Sequence, residues 1–322
     1  MTSSSHSLRF GPRFDVAVRS AAGSRADSML ENQDNYLLID TAGMACFLDG
    51  QTERTQRVPA WPPGHIRLAV LDGMGGHGRG REAAEAVVAG LLDMPACQSL
   101  GELSSHLDAL HATLQHYFSI DSTPGKRPGT TLTMLELRPG EAAMLYHVGD
   151  SRLYEITAFT VTPLTIDHVP ATAYAMEGQL TETEWWRQVH GEHRSQISQA
   201  FILGNAFANP ARLSDPLYPL TPLNLPPFLY HMPDRRAVEL DPAATYLLAT
   251  DGFWACASPQ TWLERWLAMF GAQSDASAIV ARLFDEIGAN PPPELHADNV
   301  TAIVLRAACN DETALPVAGR IN

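Results

Sequence analysis

Apolar residues recur along the chain at two spacings, which predict strands and helices in a defined order. Short apolar or alternating runs predict strands at 14–23, 35–40, 44–49, 67–71, 130–137, 142–148, 152–156, 245–249 and 299–306. Apolar residues at helical spacing predict helices at 81–92, 103–118, 259–270 and 276–287. The helices come in pairs between groups of strands that favour antiparallel pairing. This order predicts an α+β layered sandwich rather than alternating βαβ units.

The two N-terminal helices each carry an apolar stripe. In the first, the stripe consists of Ala83, Ala84, Val87, Val88 and Leu91. In the second it consists of Leu103, Leu107, Leu110, Leu114 and Phe118. Stripes at this spacing predict helix faces that pack into a core, not a cofactor site. The histidines His106, His111 and His116 do not keep to one helix face, so we interpret them as incidental.

Several segments lack a regular pattern. We expect a flexible N-terminus at 1–12, a loop at 50–65, a polar helix-prone segment at 178–193 and a tail at 308–322. The segment 205–237 is rich in proline and has little periodicity, which predicts an extended surface insertion. No linker divides the rest of the chain, so the sequence predicts one large domain over 13–307.

Composition and charge exclude several classes of protein. The chain has 322 residues, 45% hydrophobic and 18% charged, which is typical of a globular domain with an ample core. Its formal net charge of −14 argues against a nucleic-acid partner. No run approaches about 18 apolar residues and no signal-peptide stretch begins the chain, so we expect neither a membrane span nor secretion. The four cysteines are far apart and form no CxxC pair, which favours a cytoplasmic location.

Four aspartates lie at or next to the ends of separate strand-like runs: Asp72, Asp150, Asp251 and Asp298. Each alone is compatible with a turn or a cap, since aspartate is common there. A carboxylate at the end of a buried strand is costly unless a cation compensates it, and four together indicate one shared cation site. Oxygen ligands favour Mg²⁺, Mn²⁺ or Ca²⁺ over zinc.

The glycine-rich segment at 73–78 has two interpretations. It fits GxGxxG between a strand and a helix, which is the spacing of a dinucleotide fingerprint. However, Asp72 would repel a pyrophosphate, and the following strands are not βαβ. We favour glycines that let the backbone approach a metal, with the Gly73 carbonyl as a ligand. His77 in this loop is a candidate general acid, although solvation is the commoner role of such a histidine.

Together, these segments resemble a known family. The motifs are NQD (32–34), DGMGGHGRG (72–80), GTT (129–131), HVGDSRLY (147–154), LTIDHV (164–169), HRSQISQAFILG (193–204), TDG (250–252) and DN (298–299). They occur in the order seen in the metal-dependent type 2C serine/threonine phosphatases, over about residues 14–307. The DGMGGH segment is similar to the bacterial branch. Each motif is weak alone, but their joint match is specific.

The resemblance implies an αββα sandwich of two central, mainly antiparallel sheets flanked by helices, with a metal cluster at one edge. It implies two core Mn²⁺ or Mg²⁺ ions and a third, looser ion. Asp72 would bridge the core ions with Gly73 on one of them, and Asp251 and Asp298 would hold the other. Asp34 would reach the second ion, and Asp150 the third. Residues 170–195 would form a flap over the substrate.

The activity implied is hydrolysis of phosphoserine and phosphothreonine by direct attack of a metal-bridging water. The expected partners are phosphorylated proteins and an antagonistic serine/threonine kinase, with no nucleic acid, no membrane and a monomeric chain. No organic cofactor site is expected.

Three positions depart from the family pattern. Met29 occupies the place of the arginine that grips the phosphate, and Arg25 is the candidate replacement. Gln33 replaces a glutamate, and Met74 replaces the catalytic histidine of the animal enzymes. Met29 and the long insertion motivate an alternative: a catalytically weak regulator of the same fold that binds a phosphoprotein or another partner.

Overall fold

The computed structural model describes residues 8–25, 28–29, 31–75, 79–120, 127–191, 196–207, 216–273 and 275–308, with 24, 25, 28 and 29 described by their backbone alone. His77, the tail predicted beyond residue 308 and most of the predicted loose start lie outside these residues. Among the helices that the structure describes, none is long and apolar enough to cross a membrane.

The nine predicted strands are present, with small differences at their ends, and the described residues contain further short strands that were not predicted. In chain order the strands of the described residues are β1 Phe14–Ala21, β2 Ser24–Arg25, β3 Ser28–Met29, β4 Asn35–Ile39, β5 Met44–Asp49, β6 Thr52–Arg57, β7 Ile66–Leu71, β8 Gly73–Met74, β9 Gly129–Thr130, β10 Leu132–Leu137, β11 Ala143–Val148, β12 Arg152–Ile156, β13 Val161–Pro163, β14 Gln199–Ala200, β15 Gly204–Asn205, β16 Arg235–Val238, β17 Thr245–Ala249 and β18 Val300–Ala307.

The longer strands form two antiparallel sheets. One sheet has the order β1-β18-β17-β12-β13, and the other has the order β16-β11-β10-β7-β4-β5-β6. Because successive side chains point to opposite faces, each central strand contributes to two cores. Leu38 and Leu248 pack between the sheets, whereas their neighbours Leu37 and Leu247 face the helices on the outside.

Helices cover the outer face of each sheet. The α-helices are α1 Arg79–Asp93, α2 Leu100–Ile120, α3 Pro170–Met176, α4 Glu182–Trp186, α5 Pro259–Gly271 and α6 Ala276–Ala289. The first pair packs on the seven-stranded sheet through the two predicted stripes, and the last pair packs on the five-stranded sheet. The αββα sandwich predicted from the family resemblance is therefore confirmed.

The segment after the LTIDHV motif, predicted to form the flap and called the flap below, has its own apolar core. Helices α3 and α4 and a π-helical turn at Arg187–Gly191 follow the LTIDHV motif. Trp185 is buried there, and its indole N–H donates to the Thr172 hydroxyl at 3.1 Å. Trp186, its neighbour, is 40% exposed.

The expectation of a purely surface insertion at 205–237 is wrong for its described part. Residues Leu220, Leu225, Leu229 and Met232 are buried against the flap, and the segment ends in β16, which pairs with β11. Isolated apolar residues between prolines carry no helical or strand period, so the pattern did not reveal their burial.

Two further expectations are corrected. The predicted loop at 50–65 contains β6, an edge strand whose side chains are all exposed, so no apolar alternation marks it. His111 is not incidental, because its side chain is buried and its Nδ1 accepts the Ile202 backbone N–H at 3.0 Å. This bond supports Ile202 at a φ of 73°, which is unfavourable for a β-branched residue.

Candidate metal centre

The strand register gathers the predicted aspartates at one end of the sandwich. In the seven-stranded sheet Asn35 pairs with Leu71, which places Asp34, just before β4, beside Asp72, just after β7. The two carboxylates come from segments nearly forty residues apart in sequence, yet antiparallel pairing makes them neighbours.

The five-stranded sheet supplies the other three carboxylates. Ala249 of β17 lies between Arg152 of β12 and Ala302 of β18. Asp251 follows the end of β17, while Asp150 and Asp298 precede the starts of the two flanking strands. Because β12 and β18 run antiparallel to β17, the end of β17 and the starts of β12 and β18 lie at the same end of the sheet.

Three glycines allow the backbones at this edge to approach closely. A Cβ atom on Gly73 would lie 2.3 Å from the Gln33 carbonyl oxygen and 2.4 Å from that of Gly80. A Cβ on Gly252 would lie 2.0 Å from the Asn299 carbonyl oxygen, and one on Gly23 would lie 2.2 Å from that of Asp298. Such contacts exclude any side chain at these three positions unless the backbone moves.

Hydrogen bonds connect the two sheets at the site. The Thr250 hydroxyl donates to Asp34 Oδ2 at 2.8 Å and accepts the Thr301 backbone N–H at 3.0 Å. Asn299 Oδ1 accepts the Gln33 N–H at 2.8 Å, and its amide donates to the Glu31 carbonyl at 3.0 Å. The NQD segment is thus fixed to the start of β18.

A second network supports Asp72 and the turn that carries Asp150. The Asp72 N–H donates to the Thr131 hydroxyl at 2.9 Å, and the Thr131 N–H donates to the Asp72 carbonyl at 2.9 Å. The Thr131 and Ser151 hydroxyls lie 2.6 Å apart. Our sequence interpretation gave no role to Thr131, Ser151, Thr250 or Asn299, although each lies within a quoted motif.

Three carboxylates of the site, Asp34, Asp150 and Asp251, are buried, whereas Asp72 is partly exposed and Asp298 is exposed. Burial, together with the negative charges of Asp298 and Asp251, raises the pKa of Asp34 to about 8, although hydrogen bonds from Thr301 and Thr250 oppose the rise. Burial raises the pKa of Asp251 to about 6, although a hydrogen bond from Asp72 opposes the rise. Burial and the charge of Asp251 also hold the pKa of Asp150 well above its usual range.

Asp72 is the carboxylate that interacts with all the others. Burial is the main cause that raises its pKa, and the charges of Asp34, Asp251, Asp150 and Asp298 add to the effect. Five carboxylates that lie close enough to influence one another are unfavourable in their charged form without nearby cations. Its donors are all oxygens, which fits hard divalent ions.

The carboxylates of the site do not form a coordination shell in this structure. Within the described ranges, no three or more Asp, Glu, His or Cys side chains are gathered tightly enough to hold a metal ion. The carboxylates are near enough to influence one another's ionisation, but the arrangement is looser than a coordination sphere.

Arg152 of the GDSR motif is buried. Its guanidinium binds both oxygens of Asp167 at 2.7–3.1 Å and donates to the Tyr154 hydroxyl at 2.8 Å. It also donates to the Val189 carbonyl in the π-helical turn at 2.8 Å, and it lies over the Trp254 ring. Arg152 therefore connects the start of β12, next to Asp150, to the π-helical turn at Arg187–Gly191.

Gly73→Ala is expected to separate the segments that carry Asp34 and Asp72. The added methyl group would meet two carbonyl oxygens that cannot rotate away, and overpacking of this kind costs about 1–3 kcal/mol. We expect a lower melting temperature and weaker Mn²⁺ binding. Gly288→Ala in α6 is the matched control, since its Cβ would meet no atom within 4 Å and alanine favours a helix. Equal behaviour of the two variants would contradict the close approach at Gly73.

Comparisons of sequence relate part of the chain to phosphatases. No family model matches it. The serine/threonine protein phosphatase PstP of Mycobacterium tuberculosis is 34% identical over 122 residues, which is 36% of this chain and 23% of PstP. A putative type 2C protein phosphatase of Streptococcus pyogenes is 36% identical over 126 residues, which is 37% of this chain and 50% of that protein. The alignments thus span half or less of these relatives.

Comparisons of structure cover nearly the whole chain. The catalytic domain of PstP, solved in complex with two manganese ions, superimposes with a TM-score of 0.57 at 22% identity, over 92% of this chain and 99% of that one. Staphylococcus aureus Stp1 superimposes with a TM-score of 0.62 at 18% identity, over 95% and 98%. The chain therefore has the fold of these bacterial phosphatases, and about a third of its sequence is similar to proteins named as serine/threonine or type 2C phosphatases.

Proposed function

We propose that this chain is a metal-dependent protein serine/threonine phosphatase. The observation that carries the proposal is the set of carboxylates around Asp72, which come from both sheets and repel one another at one edge of the fold. A protein that only binds a partner gains nothing from concentrating buried negative charge in this way. The reaction is hydrolysis of a phosphomonoester, in which water attacks phosphorus directly and the serine or threonine hydroxyl leaves.

The residues have distinct roles in this proposal. Asp72, the Gly73 carbonyl, Asp251 and Asp298 would hold two Mn²⁺ or Mg²⁺ ions. Asp34, held by the Thr250 hydroxyl, supports the second position, and Asp150 supports a third, looser one. When bound, the ions neutralise the phosphate dianion and activate the attacking water.

Loading of this centre requires side-chain rotation rather than a change of fold. The backbones are fixed by the close contacts at Gly73 and Gly252 and by the hydrogen bonds of Asn299. Carboxylates that repel one another are expected to turn inward when a cation compensates their charge. Such rotation would explain why, among the described residues, the carboxylates are neighbours but no three of them are near enough to hold one ion.

We further propose phosphorylated proteins as substrates, a serine/threonine kinase as antagonist, a monomeric chain and a cytoplasmic location. The relatives named as serine/threonine protein phosphatases support the substrate class. Domain limits of 13–307, with a flap at about 170–195, belong to the same proposal.

The test is hydrolysis by the purified full chain in excess EDTA and after addition of Mn²⁺ or Mg²⁺. We expect turnover of p-nitrophenyl phosphate and of a phosphothreonine peptide only with the metal. Full turnover in EDTA would contradict the proposal. A chain that binds Mn²⁺ and a phosphopeptide without cleaving it would instead support the alternative of a regulator with the phosphatase fold.

Arg25→Ala tests the phosphate-binding role proposed for Arg25, whose side chain lies outside the described residues. Arg152 cannot take this role because Asp167, Tyr154 and the Val189 carbonyl occupy its guanidinium. Loss of a charge-assisted hydrogen bond, about 1.5–3 kcal/mol, is expected to raise KM for a phosphopeptide by about ten- to a hundredfold.

The control for Arg25→Ala is Arg54→Ala, which removes an exposed arginine from the edge strand β6. Mn²⁺ binding should be unchanged in both variants. An unchanged KM in Arg25→Ala would assign phosphate binding to another residue.

A further inference from the structure

The turn that carries Asp150 is held by a buried histidine of the LTIDHV motif. The Gly149 backbone N–H donates to His168 Nδ1 at 3.2 Å, and the His168 backbone N–H donates to the Gly149 carbonyl at 2.8 Å. The other side of Gly149 packs on Thr131, where an added Cβ would lie 2.6 Å from Thr131 Cγ2. The peptide just before Asp150 is therefore enclosed between Thr131, which also supports Asp72, and the ring of His168.

Two donors point at His168 Nδ1, and together they fix the tautomer of the ring. Besides the Gly149 N–H, the Gln199 side-chain amide donates to Nδ1 at 3.0 Å. Tyr218 sets the orientation of this amide, because its backbone N–H donates to Gln199 Oε1 and its carbonyl accepts from Gln199 Nε2 at 3.1 Å. Nδ1 is then the acceptor nitrogen of His168, and Nε2 carries the ring proton.

The Nε2 atom of His168 faces a buried carboxylate. Asp234 Oδ2 lies 3.4 Å from it, and both side chains are fully buried. Neither atom has a hydrogen-bond partner elsewhere among the described residues. The adjacent guanidiniums form their hydrogen bonds elsewhere, since Arg235 binds Asp108 and Arg236 donates to two backbone carbonyls. A buried donor and a buried acceptor without other partners favour contact with each other.

We propose that His168 is a positioning residue for Asp150, and that Asp234 of the 205–237 segment fixes the ring of His168. The contacts run from Asp234 through this ring to the Gly149 peptide, and Asp150 is the next residue. The proposal rests on the proposed phosphatase function, in which Asp150 supports the third, looser ion. Without these contacts the Asp150 carboxylate is less well oriented toward that ion. Replacing residues that hold a metal ligand in place typically lowers metal affinity about ten- to a hundredfold.

The first experiment determines the tautomer of His168 in the metal-free full chain by nitrogen NMR of the imidazole rings. The spectrum of His168→Asn identifies the His168 signals among those of the twelve histidines. We expect the proton on Nε2 and an unprotonated Nδ1. A proton on Nδ1 would contradict donation by the Gly149 N–H and would overturn the proposal.

Two substitutions of Asp234 separate its hydrogen bond from its charge. Leucine has a similar size but leaves the His168 Nε2–H without an acceptor, whereas the carbonyl oxygen of asparagine can still accept it. We expect the weakest of the bound Mn²⁺ ions to bind about ten- to a hundredfold more weakly in Asp234→Leu, and nearly as in the wild type in Asp234→Asn. The two tighter ions should be unaffected in both variants. The measurement is titration of the full chain with Mn²⁺, with free Mn²⁺ detected by electron paramagnetic resonance.

Glu136→Leu is the matched control, because it also removes a buried carboxylate from its partner. Glu136 binds Arg67, and both side chains are fully buried. This pair lies near the start of β7, whereas Asp72 follows the end of that strand. Glu136→Leu should lower the melting temperature but keep the affinity for the weakest ion.

Turnover of p-nitrophenyl phosphate provides a second measurement. Asp234→Leu should lose turnover at low Mn²⁺ concentration and recover it at high concentration, because the Asp150 carboxylate is still present. Asp150→Asn removes this carboxylate, so it should not recover. Failure of Asp234→Leu to recover at high Mn²⁺ concentration would contradict a positioning role.

The outcomes separate this proposal from the one on which it rests. A wild-type chain that binds no Mn²⁺ would contradict the phosphatase function itself. A wild-type chain that binds only two ions, a weakest ion that binds normally in Asp234→Leu, or an equal loss in Glu136→Leu would overturn the positioning role alone. If Asp234→Leu does not fold, the tautomer of His168 in the wild type still decides the question.

Discussion

Asp72→Asn is expected to lower turnover of p-nitrophenyl phosphate by at least about a hundredfold. The change keeps the shape of the side chain but removes the charge that interacts with all four other carboxylates of the site. Cation stabilisation of the phosphoryl transition state is worth several kcal/mol, and each 1.36 kcal/mol corresponds to a factor of ten in rate. The variant should also lose most of the rise in melting temperature that Mn²⁺ gives to the wild type.

The fold should survive Asp72→Asn, because in the metal-free protein the change removes a charge that is repelled by its neighbours. Its melting temperature in EDTA should equal or exceed that of the wild type. Asp285→Asn, at a side chain that is 72% exposed on α6, serves as the control and should leave turnover unchanged. Near wild-type turnover in Asp72→Asn would exclude Asp72 as the bridging ligand.

Arg152→Met is expected to destabilise the fold strongly. It leaves Asp167 buried without its guanidinium partner and also removes the link to the Val189 carbonyl in the flap. Breaking a buried ion pair by removing one partner costs about 3–5 kcal/mol. For a domain of this size, we expect a fall in melting temperature of roughly 5–10 °C.

Two arginines provide controls for Arg152→Met. Arg67 is equally buried and binds both oxygens of Glu136, far from the flap, so Arg67→Met should destabilise the fold similarly. Arg282, which is 51% exposed, should tolerate methionine with little change. Of these three arginines, only Arg152 contacts the flap. We therefore expect only Arg152→Met to change the relative kcat/KM values of different phosphopeptides. If Arg152→Met had the same melting temperature as Arg282→Met, the predicted contribution of the buried Arg152–Asp167 pair to stability would be wrong.

The layered fold was predictable because its strands and helices carry strong periodic patterns. The predicted strand limits at 152–156 and 245–249 match β12 and β17, and the four long helices were found within a few residues of their ends. Burial on one or both faces imposes these patterns, so sequence and structure agree where the core is densest.

Segments without a strong pattern were less predictable. The edge strand β6 is polar throughout, since it pairs with β5 but contributes no side chain to the core. Leu220 and Leu229 are buried by contact with apolar residues of the flap. Such a tertiary contact leaves no periodic pattern in the local sequence. The role of His111 depends likewise on the distant Ile202.

The aspartates of the site were predictable from the sequence, but the residues that hydrogen-bond to them and fix their position were not. Aspartates at strand ends point to a cation, and the family motifs identify which of them belong together. That Thr250 would orient Asp34, and that Asn299 would fix the NQD segment, follows only from the packing of one sheet on the other. Phosphate binding by Arg25, in place of the arginine that Met29 replaces, stays a prediction.

The most direct test of this account is the equilibrium binding of Mn²⁺ to the metal-free chain. We predict at least two ions per wild-type chain, bound together with a rise in melting temperature. Asp72→Asn should lose most of this binding, and Asp285→Asn should retain it. Binding of less than one ion per wild-type chain, or equal binding by both variants, would contradict a shared cation site built from these carboxylates.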